Sequence, residues 1–159
     1  MTAPHIDTPL GPVTFTARSE VDHEVVVGPA EPVLPDHYPP VTLWTTTWRF
    51  PSGRPVNGFE VVAGLTTTEA GVEGSPEAGY RLDAVTFENA ATVVSIGGPN
   101  EEQLLEEFGI ESEVHYLDDL TLRWRLSAFE PSSDVQFALA VAWGEPSELP
   151  ATWWAVDLP

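Results

Sequence analysis

The sequence predicts an antiparallel β-sandwich of about nine strands with one short α-helix near residues 100–108, and a closed β-barrel is the alternative. Three observations point there. Apolar and polar residues alternate with period two along most of the chain. Clusters of Pro, Gly, Asn and Asp interrupt that alternation at short intervals. One window carries ordered helix start and stop signals. A length of 159 residues fits a single β-rich domain over 1–159, with a core that needs no covalent staples. Residues 1–10 read as a loose N-terminal tail.

The elements follow in order. Val13, Phe15 and Ala17 alternate with Thr14, Thr16 and Arg18, the pattern of a half-buried strand with a wet threonine face. Val21–Val27 reads as the next strand and as its hairpin partner. Residues 28–40 hold Pro29, Pro32, Pro35, Pro39 and Pro40. Prolines donate nothing to a ladder, so this stretch reads as a long surface loop. Thr42, Trp44, Thr46, Trp48 and Phe50 then share one strand face. Phe59, Val61, Ala63 and Leu65 form the inner face of the strand that returns after the Pro51–Pro55 turn. Residues 66–78 read as a loop. Tyr80–Phe87 and Thr92–Ile96 are further strands. In the first, Leu82, Val85 and Phe87 do not share a parity, which predicts a bulge between Leu82 and Val85.

Gly97-Gly98-Pro99-Asn100 leads into Glu101–Phe108, and Gly109 follows. Asn100 suits the N-cap, Gln103 the reciprocal capping position, and Gly109 the left-handed residue after the last turn. Leu104, Leu105 and Phe108 form a narrow apolar stripe that places the helix against a sheet or in one end of a barrel. The paired glycines resemble an anion-cradling loop. Glu101 and Glu102 would repel a phosphate there, and the nucleotide-loop Lys and Ser/Thr are missing. The glycines therefore read as residues that turn the chain.

Beyond the helix, Leu120, Leu122, Trp124, Leu126 and Ala128 share a face, as do Val135, Phe137, Leu139, Val141 and Trp143. The reverse face of the second strand is Gln136, Ala138, Ala140 and Ala142. Side chains so small predict a close neighbour. Thr152–Leu158 reads as a final strand. Parity sends Trp44, Trp48, Trp124 and Trp143 to the core, their natural home. On the last strand Trp154 joins Val156 and Leu158, which leaves Trp153 outside the core or under the helix.

Charge is the outlier. The chain has 25 acidic and 6 basic residues, all of the latter arginines, for a formal net charge of −19. Such a field disfavours nucleic-acid backbones and anionic membranes and attracts basic proteins or cations. It also fits a salt or solubility adaptation. Cysteine is absent, which excludes disulfides and thiolate metal sites. The N-terminus lacks a secretory pattern, and no run approaches the roughly 18 apolar residues of a membrane span. The expected location is the cytoplasm.

No catalytic, cofactor or metal-binding residue is assigned. On a strand His23 faces away from Asp22 and Glu24, and His115 with Asp118 and Asp119 matches no metal-ligand spacing. No Gly-x-Ser-x-Gly elbow is present. Glu60, Asp83 or Glu88 could line a cleft for carboxylate chemistry. Arg123 and Arg125 share a wet face about 6–7 Å apart. They could clamp a carboxylate or pair with acids on neighbouring strands.

The densest charge is Glu101, Glu102, Glu106, Glu107, Glu111, Glu113, Asp118 and Asp119. Glu106 and Glu107 stand in the last helical turn, where the macrodipole penalises each by about 0.3–1 kcal/mol. A local rule broken without local benefit points to function. The sequence thus predicts a non-enzymatic domain that binds a basic protein partner, as an inhibitor, an immunity-type protein or a nucleic-acid mimic would. Those eight acids would form the surface, with Trp153 as anchor. The alternatives are a small-molecule or glycan-binding β-domain with an aromatic-lined pocket, and a carboxylate-based hydrolase.

Overall fold

The computed structural model describes residues 3–19, 24–78, 82–118 and 121–158. These form eleven strands: β1 His5–Thr8, β2 Gly11–Ser19, β3 Glu24–Ala30, β4 Thr42–Phe50, β5 Phe59–Leu65, β6 Glu73–Ala78, β7 Leu82–Glu88, β8 Val93–Pro99, β9 Ser112–Asp118, β10 Thr121–Leu126 and β11 Val135–Gly144. Two α-helices, α1 Glu101–Phe108 and α2 Leu149–Val156, and a 3-10 turn at Pro146–Glu148 complete the described elements. Sheet A runs β1-β2-β5-β10-β9, and sheet B runs β3-β4-β11-β8-β7-β6. The paired strands are antiparallel. Both sheets end in open edges, so the architecture is a sandwich and not a barrel.

The core lies between the sheets, where parity puts it. Phe15, Phe59, Val61 and Trp124 from sheet A meet Trp48, Phe50, Phe137 and Leu139 from sheet B, all buried. Trp48 is the hub, with ring centroids 5.9 Å from Phe15, 5.7 Å from Phe59 and 5.9 Å from Phe137. Trp44 and Trp143 pack against this core but stay partly exposed.

A second apolar layer covers the outer face of sheet B. Leu82 and Ala84 of β7, and Ala140 and Ala142 of β11, pack with Ala151, Ala155 and Val156 of α2. The alanine face of β11 is small because a helix lies on it. The same layer corrects the predicted bulge. β7 pairs with β8 without a shift from Leu82↔Pro99 to Glu88↔Val93. Leu82 and Ala84 face α2 while Val85 and Phe87 face the core, so apolar residues occupy both parities of a strand buried on both sides.

Gly97 and Gly98 also have a role other than the one their sequence suggests. Both lie inside β8. A Cβ on Gly97 would stand 2.8 Å from Val156 Cγ2 and 2.9 Å from Leu82 Cδ1. A Cβ on Gly98 would meet Leu139 and the Trp124 ring. One glycine admits α2 on the outer face, and the other admits Trp124 on the core face. Neither turns the chain.

α2 replaces the expected Thr152–Leu158 strand. Pro150 sits in its first turn, where a missing N–H costs nothing. The buried hydroxyl of Thr152 is tied down. Thr152 Oγ1 donates to the Leu149 carbonyl at 2.9 Å. A hydroxyl has one proton to give, so Ser95 donates to Thr152 across 3.1 Å and Thr86 to Ser95 across 3.2 Å. Thr86, Ser95 and Thr152 are all buried, and this chain of hydroxyls fastens the helix to β8 and β7.

Other expectations are corrected. The N-terminal tail is not loose over its whole length. β1 pairs with β2, and Ile6 and Leu10 are 2% and 1% exposed. β3 does not form a hairpin with β2 but crosses to sheet B and pairs with β4. It extends to Ala30 through Pro29, which an edge strand tolerates. Residues 66–78 include edge strand β6, and the acidic stretch after α1 is edge strand β9. The readings placed on Val21, Asp22, His23, Tyr80, Asp119 and Leu120 lie outside the described residues.

Candidate functional site: the α1–β9 edge

α1 is capped as its sequence requires. Asn100 Oδ1 accepts the Gln103 N–H at 2.9 Å. Gly109, with φ of 65°, donates to the Leu105 carbonyl and turns Ile110 into the core. The Gln103 side-chain amide donates to Glu107 at 3.5 Å. The apolar stripe is only partly used. Leu104 is buried, whereas Leu105 and Phe108 are 55% and 39% exposed.

β9 is fixed by β10 on one side and by α1 on the other. Ser127 N donates to the Glu111 carbonyl. With the register Glu113↔Arg125, this directs the main-chain groups of Ser112, Val114 and Tyr116 away from the sheet. Val114 N meets Glu101 Oε1 at 3.0 Å. Glu101 thus covers a donor on an open edge that would otherwise invite a further strand.

The other predicted residues divide. Glu102, Glu106, Glu107, Glu111 and Asp118 are exposed, and Asp118 accepts the Thr121 hydroxyl at 2.9 Å. Glu113 is paired, 3.5 Å from His115 and 3.8 Å from Arg125. Asp119 lies outside the described residues. Trp153 does not sit where the strand reading placed it. It is half-buried on α2 with the second apolar layer, its indole N–H buried without a partner. Trp154 is the exposed one, at 44%, because helical geometry reverses the parity argument. The residues that sequence reasoning missed are Leu105, Phe108, Tyr116 and Leu117. Of eight large apolar side chains exposed among the described residues, these four lie in the acidic segment itself.

Tyr116 ties β9 to sheet B. Its hydroxyl donates to the Glu77 carbonyl at 2.9 Å and lies 3.4 Å from Asp83 Oδ1. Burial raises the Asp83 carboxyl above its ordinary value; the Tyr116 bond opposes this and nearby Glu101 adds to it. The phenol is pushed up to about 12 by burial and by Asp83, so it stays a donor at neutral pH.

Three of the six arginines, Arg18, Arg123 and Arg125, lie on sheet A, whose edge strand is β9. Arg18, Glu60, Arg125 and Glu113 form one row across β2, β5, β10 and β9 on the outer face of sheet A. Surface clefts of about 510, 420 and 460 Å³ have no tryptophan in their walls. Among the described residues no group of three or more His, Asp or Glu is placed to hold a metal, and no helix is long and apolar enough to cross a membrane. Comparison of the chain with protein-family models, with curated proteins and with solved structures gives no match.

Proposed function

We propose that the chain acts as a non-enzymatic acidic interaction domain, in the cytoplasm, and captures a basic protein partner through α1 and β9. The observation that carries this reading is the exposure of Leu105, Phe108, Tyr116 and Leu117 among Glu102, Glu106, Glu107, Glu111 and Asp118. A merely solvated acidic face needs no large apolar groups. A docking face needs them, because apolar contact holds what charge attracts. The partner surface would carry Lys or Arg around one or two apolar pockets. Trp153, packed on α2, drops out of this surface.

Two probes test it: an amphipathic helical peptide of Lys and Leu, and plain oligolysine. Stopped-flow association of the amphipathic peptide should slow steeply with salt. Glu106→Lys with Glu107→Lys should weaken both probes. Leu105→Ser with Phe108→Ser should weaken only the amphipathic one. If both double variants leave amphipathic binding unchanged, the reading is wrong.

A further inference from the structure

We propose a second, independent site: a groove at the ends of β2, β5 and β10 that binds a small hydroxy- or amino-carboxylate between Arg18 and Arg125. The cleft holds about 510 Å³, and its wall includes Arg18, Asn57, Gly58, Glu60, Arg125 and Ser127.

Charge placement is the first argument. Acids outnumber basic residues 25 to 6, yet Arg18 makes no ion pair with any described residue. Its cross-strand neighbour is Glu60, which leans the other way. Glu60 Oε1 lies 3.6 Å from Arg123 Nε and 3.9 Å from Arg125 Nη2. Arg125 reaches Glu113 at 3.8 Å. All three contacts exceed the roughly 2.7–2.9 Å of a charge-assisted hydrogen bond, so none of them is a tight fork-like pair. Arg123 Nε is buried without a hydrogen-bond partner.

Geometry is the second. β5 alone separates β2 from β10, so Arg18 and Arg125 stand about 10 Å apart at their Cα atoms. From that spacing two long side chains converge on one carboxylate. Glu60 and the Ser127 hydroxyl then face whatever the ligand bears beside it. A hydroxyl or ammonium satisfies Glu60, whereas a second anionic group is repelled.

The test is a titration of the labelled protein with lactate, glycine, acetate and inorganic phosphate, read on the Gly58 and Ser127 amides and the Arg18 side-chain N–H. Lactate and glycine should give saturable shifts, and acetate and phosphate weaker ones. Arg18→Ala should lower lactate affinity about tenfold or more with an unchanged melting temperature, because no described contact is lost. Glu60→Gln should narrow the preference for glycine over acetate. No saturable shift, equal shifts from phosphate and lactate, or an Arg18→Ala variant that binds as before would each overturn the site.

Discussion

α1 and α2 are both eight residues long, and opposite forces hold them. α1 is specified by its own ends: an asparagine cap, a left-handed glycine, and one buried anchor in Leu104. α2 has no side-chain cap, but Ala151, Thr152, Ala155 and Val156 are all buried. α1 is thus locally encoded and presents most of its surface. α2 is held by what lies beneath it. A helix that contributes little to the core is free to carry side chains chosen for something other than stability, and α1 carries Glu106, Glu107, Leu105 and Phe108.

The largest effect should fall where the layers touch. Gly98→Ala drives a methyl into Leu139 and Trp124, an overpacking that costs about 1–3 kcal/mol or more; denaturant unfolding should show the loss. A variant as stable as the parent would mean that the core yields there and that the glycine is not required. Thr152→Val comes next. It keeps the shape of the side chain but cuts α2 from the Ser95 hydroxyl, at about 1–3 kcal/mol. Hydrogen exchange should rise first in α2, with α1 unaffected.

Changes to α1 should be smaller. Asn100→Ala removes the cap at about 1 kcal/mol, visible as a modest fall in melting temperature. Glu106→Lys and Glu107→Lys should each stabilise the fold by about 0.3–1 kcal/mol through the helix dipole, while they weaken capture of a basic probe. A gain in stability paired with a loss of binding is the signature that separates a functional face from a structural one. The last effect is one of pH. Asp83 titrates above its ordinary value of 3.8 because it is buried, with Glu101 adding. The folded protein therefore holds this proton more tightly than the unfolded chain. The resulting stability is full below 3.8 and is lost as pH rises through the raised value. Asp83→Asn should flatten melting temperature against pH over that window, and parallel profiles for parent and variant would refute the assignment.

Most of the sandwich was readable because a strand with one wet face prints its burial as alternation. That signal located β2, β4, β5, β10 and β11 and put Trp48 and Trp124 in the core. It failed where burial is two-sided or nearly absent. β7 is covered on both faces and mimics a bulge. β6 and β9 are edge strands, rich in polar residues, and resemble loops. The acidic part of the candidate site was plain from composition, but its apolar part was not. Leu105 and Phe108 follow a helical stripe that ordinarily means burial, and only the seating of α1 by Leu104 alone leaves them out.

By itself the sequence determined the fold class, the ends of α1 and the acidity of residues 101–118, because alternation, capping and charge are local properties of the chain. Tertiary structure decided that 149–156 is a helix, that Gly97 and Gly98 make room for neighbours on opposite faces, and that Trp153 is covered while Trp154 is not. Those outcomes depend on which surfaces meet. The alanine face of β11 could accept only something able to lie close, and residues distant in sequence supplied it.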